Sequence, residues 1–274
     1  MISRPWFFII LGFIGVVSSS GCGNKCNPTG ADKVLYKNQC AATTANQGDT
    51  TTTTNQAGVF DSSSSSSATF THSSVSRNMA TAYTVEAFVK LSSLPGTNAH
   101  IAIWAGGSSG YLDFYITSGG QVKSIFKPDC STATTKTYTT STLSVNTNYH
   151  IAVVWDGAGT GYIAVNGVVQ TFAGIAGSPA SCSFDSVYVG WNGSGNYLSA
   201  TLDDLRISRT ARYTSNFTPS SSVFTNDADT DFLLHFDSSA TSCLPTASDS
   251  VNSAYAVTGT PSCTALSFIT SPFF

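Results

Sequence analysis

The chain has 274 residues, only 10% of them charged, and a formal net charge of −3. That length suffices for one sizeable β domain. Twelve scattered Lys and Arg residues leave no basic footprint for nucleic acid and no basic amphipathic helix for a membrane surface. Ser, Thr, Asn and Gly are expected to cover most of the surface.

The N-terminus has the pattern of an export signal over residues 1–21. Arg4 is the positive start, Pro5–Val17 the apolar core, and Ser18–Gly21 the small residues suited to cleavage. The apolar run is shorter than the ~20 residues that span a bilayer. Ser19-Ser20-Gly21-Cys22 resembles a bacterial lipobox, which would make Cys22 a lipidated first residue, although the motif usually has Leu where Ser19 stands. Ordinary cleavage near Ser20 is the alternative. Lipidation of Cys22 leaves an even set of six from the seven cysteines: Cys26, Cys40, Cys130, Cys182, Cys243 and Cys263. Proximity favours Cys26–Cys40 and Cys243–Cys263, leaving Cys130–Cys182 as a bond across the fold. No C-x-x-C pair suggests a metal site instead.

Residues 22–56 are rich in Thr, Asn and Gln and read as a disordered spacer. From Ala57 onward, short strand candidates alternate with turn signals. Tyr83–Leu91 places Val85, Ala87, Val89 and Leu91 on one face. His100–Ala105 and Tyr111–Thr117 flank a Gly/Ser turn. Gln121–Phe126, Lys136–Thr142 and Tyr149–Trp155 follow. Gly161–Val165 and Val168–Phe172 flank Asn166-Gly167, the strongest short-range hairpin signal. Ser186–Trp191, Leu198–Ser208 and Asp231–Phe236 complete the series. No segment has a capped helical repeat. Half-apolar strands without helices must bury one sheet against another, so the expected class is all-β, a two-sheet antiparallel sandwich. Residues 241–274 read as a C-terminal extension with a disulfide loop and one strand candidate, Ala254–Thr258.

The order of YTVEAFVKLSSLPG, IAVVWDG with its Asn-Gly turn, LDDLRISRTARYTSNFTP and FLLHFD resembles the laminin-G-like branch of the concanavalin-A-like lectin/glucanase superfamily. The resemblance covers roughly residues 57–240. It implies a jelly roll and, as such modules often hold one calcium, a site for that ion. Asp203 with Asp61 is the candidate pair, since oxygen ligands suit calcium. Alternation along Thr201–Ile207 puts Asp203 on the face of Leu205 and Ile207, where a carboxylate needs a cation, an Arg (Arg77 or Arg209) or backbone N–H donors.

Glucanases of this fold use paired Glu residues on one strand. This chain has a single Glu, Glu86, and the adjacent Asp203 and Asp204 should point to opposite faces. Gly106–Gly110 matches the nucleophile-elbow pattern, but a strand rather than a helix is expected after it. His72, His100, His150 and His235 lack metal spacing; His150 and His235 read as structural. Trp104 and Trp155 read as core. Exposed aromatics beside amides are the usual equipment for sugars, which selects Trp191, Asn192, Asn196 and Tyr197 in one loop, and Tyr111 with Asp113 on one strand face. The sequons at Asn192 and Asn216 would matter only in a eukaryotic host. The chain is thus expected to be a secreted or lipid-anchored, non-catalytic surface module that binds a glycan or a surface protein. A structural subunit of a surface or virion assembly is the alternative, followed by a glycosidase with atypical carboxylates.

Overall fold

A computed structural model describes residues 55–106, 109–237 and 262–274. The expectations for the signal segment, Cys22, Cys26, Cys40, nearly all of the spacer, Cys243 and Ala254–Thr258 lie outside these residues. Alternation and turn chemistry sort the chain into two antiparallel sheets. The first holds β1 (Gln56–Phe60), β3 (Tyr83–Leu91), β8 (Asn148–Trp155), β9 (Gly161–Val165), β10 (Val168–Phe172), β12 (Ala200–Ser208), β13 (Thr230–Leu234) and β15 (Ser267–Thr270). The second holds β2 (Ser67–Asn78), β4 (Ala99–Gly106), β5 (Ser109–Ile116), β6 (Val122–Phe126), β7 (Thr134–Thr137), β11 (Ser181–Val189) and β14 (Ser262–Thr264). The strand orders are β10-β9-β8-β3-β12-β1-β15, with β13 also on β12, and β14-β2-β11-β4-β5-β6-β7. This is the expected two-sheet jelly roll.

Local chemistry explains the clearest elements. Asn166 and Gly167 both adopt positive φ, 48° and 80°, as a type I′ turn requires, and Val165 pairs directly with Val168. A β-carbon on Gly167 would collide with the Phe217 carbonyl, so the position needs glycine twice over. Between the sheets, Val85, Ala87, Val89 and Leu91 meet Trp104, Phe114, Phe126 and Phe184 in one buried cluster. Trp104 stacks on Phe184 at 3.9 Å, and the buried Trp155 indole donates to the Met79 carbonyl at 2.6 Å. The Cys130–Cys182 disulfide forms as expected. Cys263 is also disulfide-bonded, with its partner outside the described residues.

Two expectations need correction. The sandwich does not end at residue 240, because β14 pairs with β2 and β15 with β1, adding a C-terminal strand to each sheet. And alternation fails in β12: Leu202 and Leu205 both enter the core, with two residues between them instead of one. The register against β3 shifts there, and Asp204 sits at φ 48°. This bulge turns Asp203 to the outer side, opposite Phe88.

That outer side of the first sheet is itself covered. Phe88 packs against Phe224 and Leu233 in a second small cluster and touches the rings of Phe273 and Phe274. Under this cover Glu86 is fully buried, bonded to Arg206 at 2.8 Å, His150 Nε2 at 2.9 Å and the Tyr213 hydroxyl at 2.8 Å. Burial alone would raise its pKa, but the His150 bond and the Arg206 charge outweigh it and hold the carboxyl below its ordinary value.

Candidate functional site

The loop after β11 is built by short-range bonds. Gly190 turns with φ 76°, Asn192 Oδ1 accepts from the Ser194 N–H at 3.0 Å, and Leu198, fully buried, closes the loop by donating to the Gly190 carbonyl at 2.8 Å. The loop therefore holds its aromatic residues in place. Trp191 donates its indole N–H to Thr69 Oγ1 at 3.2 Å and meets Tyr188 edge-on at 5.7 Å. Tyr197 lies parallel to Trp191, with ring centroids 5.8 Å apart and planes within 4°. Both rings are partly exposed.

Beside Tyr197 opens a cleft of about 310 Å³ between this loop, the turn after β1 and the β3–β4 connection. Its lining offers the hydroxyls of Ser62, Ser93, Thr97 and Ser199, the Asn196 amide, and an apolar edge at Leu94, which is 43% exposed. Thr97 donates to Asn196 Oδ1 at 3.3 Å, and Ser62 and Ser199 share a hydrogen bond of 2.7 Å. No carboxylate lines the cleft among the described residues. Such a surface can exchange hydrogen bonds with a polyhydroxylated molecule while an aromatic ring supports its C–H face.

The predicted loop residues Trp191, Asn192, Asn196 and Tyr197 thus come together, although Asn192 is occupied with its own turn. Asp113 stands on the outer face of the second sheet and is buried, with its carboxylate against His100 Nδ1 at 2.9 Å. Burial raises its pKa, and the His100 bond opposes that rise. The Tyr111 side chain lies outside the described residues. His100 reaches the same region as the loop, since its N–H donates to the Asn196 carbonyl at 3.4 Å. Sequence reasoning passed over His100 because its pairing with β5 depends on strand register.

Asp61 and Asp203 do not meet. The β1–β12 register places Asp203 opposite residue 57, four positions from Asp61, or roughly 13 Å along a strand. Asp61 is exposed and caps a short turn by accepting from the Ser63 N–H at 2.9 Å. Asp203 is fully buried, accepts from the Ser271 hydroxyl at 2.6 Å and from the Asp204 N–H at 2.8 Å, and so uses neither Arg77 nor Arg209. Burial pushes its pKa up to about 8, and neighbouring Asp204 adds to the rise. Those two arginines instead bracket Asp231. Among the described residues no three His, Cys, Asp or Glu side chains form a metal cluster.

Asp204 and Asp203 also do not part to opposite faces. Asp204 is sealed on the outer side too, paired with His235 and accepting from the Phe224 N–H at 2.6 Å. His150 and His235 make the structural contacts expected of them. Gly106 pairs with Ser109 across β4 and β5, so a strand follows the Gly/Ser pattern where a nucleophile elbow needs a helix. Among the described residues no helix is long and apolar enough to cross a membrane.

Two facing antiparallel sheets define a jelly-roll sandwich. The chain belongs to the concanavalin A-like lectin/glucanases superfamily, whose laminin G family matches residues 61–216. No curated protein matches it in sequence. In structure it is similar to a Bacteroides ovatus protein proposed to bind carbohydrate, with TM-score 0.54 and 16% identity over 80% of this chain. The match covers 60% of that protein's length. It is also similar to the heptameric SAP-like pentraxin of Limulus polyphemus, with TM-score 0.44 and 18% identity over 58% of this chain and 78% of the pentraxin. A Trypanosoma rangeli sialidase aligns with TM-score 0.38 and 15% identity over 48% of this chain and 21% of the enzyme.

Proposed function

We propose that the protein is a non-catalytic glycan-binding module, exported and either secreted or tethered to the cell envelope through Cys22. The observation that carries this reading is the meeting of Trp191, Tyr197 and the hydroxyl-lined cleft at one rim. A pyranose ring would lie on Tyr197 or Trp191 and exchange hydrogen bonds with Asn196, Thr97 and the serines. Sharing a fold with a protein proposed to bind carbohydrate is consistent with it. The non-catalytic part rests on the lining: glycoside hydrolysis needs two carboxylates flanking the bond, whereas Glu86, Asp203 and Asp204 are sealed elsewhere.

A glycan array, run with and without chelator, tests the reading. Saccharide binding that falls about tenfold in both Trp191→Ala and Tyr197→Ala, with melting unchanged, supports it. An array on which the wild type is silent, or release of reducing sugar by purified protein, overturns it. Chelator sensitivity would report a calcium site outside the Asp61–Asp203 pair. Mass spectrometry of the mature chain checks acylation of Cys22. A structural subunit is the second reading, favoured by Ile269, 44% exposed on β15 at the end of the first sheet. Self-association by light scattering together with a silent array would select it.

A further inference from the structure

Resting on the glycan-binding reading, we propose that His100 is a second sugar-contacting residue. On this account the ligand is an oligosaccharide that runs from the cleft onto the outer face of the second sheet, not a single terminal sugar.

The argument begins with the state of the imidazole. Asp113 is buried, its side chain 7% exposed, and its carboxylate meets His100 Nδ1 at 2.9 Å. The carboxylate engages Nδ1 and so turns Nε2, the other ring nitrogen, away from Asp113. The Tyr115 ring packs on the imidazole at 5.1 Å and restrains it. Nε2 has no hydrogen-bond partner among the described residues, and the His100 side chain keeps 10% of its surface exposed. An oriented, nearly buried ring nitrogen suits the hydroxyl of a bound molecule, which can donate or accept.

Its place in the fold links it to the rim. Thr97 lines the cleft and donates to the Asn196 side chain, and the His100 N–H donates to the Asn196 backbone carbonyl. Ala99 and Ile101 enter the core, so His100 is the first residue of β4 to face outward as the strand leaves the cleft. On the adjoining β11, Tyr188 faces outward and holds the edge of Trp191. Cleft, aromatic pair and imidazole therefore share one side of the sandwich. A cleft of about 310 Å³ lies at the bottom of the roughly 300–1,000 Å³ range of small-molecule sites. Longer ligands must continue outside it.

The test uses calorimetric titration with cello-, chito- and galacturono-oligosaccharides, from monosaccharide to hexasaccharide. His100→Asn keeps an amide N–H for Asp113 and removes the second ring nitrogen. Wild-type affinity should rise with chain length, and His100→Asn should abolish that rise, weakening the hexasaccharide about three- to tenfold while leaving the monosaccharide unchanged. In the wild type, the ¹⁵N resonance of His100 Nε2 should move on saturation with hexasaccharide. This measurement decides the matter even if the variant folds poorly. An unmoved Nε2 resonance, with length dependence unaltered in His100→Asn, overturns the second contact. The glycan reading would still stand if Trp191→Ala loses binding. Failure of every saccharide to bind the wild type overturns both.

Discussion

The outer faces of the two sheets solve the same problem in opposite ways. On the first sheet, buried polar groups are paired with one another under a cover formed by residues 209–229 and the C-terminal end. Arg206 joins Glu86 and lies 4.1 Å from the Phe224 ring; Arg212 grips both oxygens of Asp227 at 2.8 and 2.9 Å. On the second sheet and its rim, Asp113 holds His100 through Nδ1 alone, and Trp191, Tyr197 and Asn196 keep exposed surface. The lesson is that burial of charge alone does not mark a site. The Glu86 cluster, with Arg206, Arg212 and His150 around one buried carboxylate, has the wiring of a structural lock, whereas the cleft, without a carboxylate among the described residues, keeps unspent hydrogen-bonding capacity.

The contrast breaks most severely at Glu86. Glu86→Ala leaves Arg206 and the Tyr213 hydroxyl buried without their carboxylate partner, a change that costs about 3–5 kcal/mol. Urea unfolding should show the midpoint falling with little change in slope. Saccharide affinity, measured where the variant is folded, should be unaltered. Loss of affinity at full stability would mean that the two faces are coupled.

A smaller break comes from the cover itself. The Phe217 N–H donates to the Gly167 carbonyl at 3.0 Å, and Gly167→Ala would both strain a positive φ and push the Phe217 carbonyl away. A loss of about 1–3 kcal/mol is expected, with faster amide exchange in residues 209–229 as the local signature.

How much of this was legible depends on the range of the signal. The Asn166-Gly167 hairpin and the alternation of Tyr83–Leu91 are local, and both match the structure closely. β2, the longest strand among the described residues, hides in a Ser/Thr-rich run whose partners lie more than a hundred residues away on β11. The C-terminal strands are likewise defined only by pairing with β1 and β2. Asp203 misleads because a bulge is invisible to period-two counting. The Trp191–Tyr197 loop could be singled out because its aromatics and amides are contiguous. His100 could not, because its partners come from another strand and another loop.

The covered face should also answer to pH. Asp203 has a folded pKa of about 8 against an ordinary 3.8, so the folded chain keeps a proton that the unfolded chain releases. Its contribution is complete below about pH 4 and is lost as pH rises through about 8, at up to about 1.4 kcal/mol per pH unit. Asp237, raised chiefly by burial and in part by Asp204, acts in the same direction. Asp203→Asn should flatten most of that slope and raise stability at pH 8, as urea midpoints across the range would show. A slope that persists unchanged in Asp203→Asn would assign the proton to another group.

The smallest effect, and the sharpest for the open face, is expected at Leu94. This side chain lines the cleft and is 43% exposed, so truncation opens no cavity in the core. Leu94→Ala should leave the melting midpoint within about 0.5 kcal/mol of wild type, as surface substitutions usually do. It nevertheless removes apolar area that a sugar's C–H face would cover. At about 25 cal/mol per Å², a few tens of Å² corresponds to a two- to fivefold loss of affinity. Stability and binding thus separate here in the reverse sense from Glu86. A Leu94→Ala protein that unfolds early but binds normally would reverse the roles assigned to the two faces.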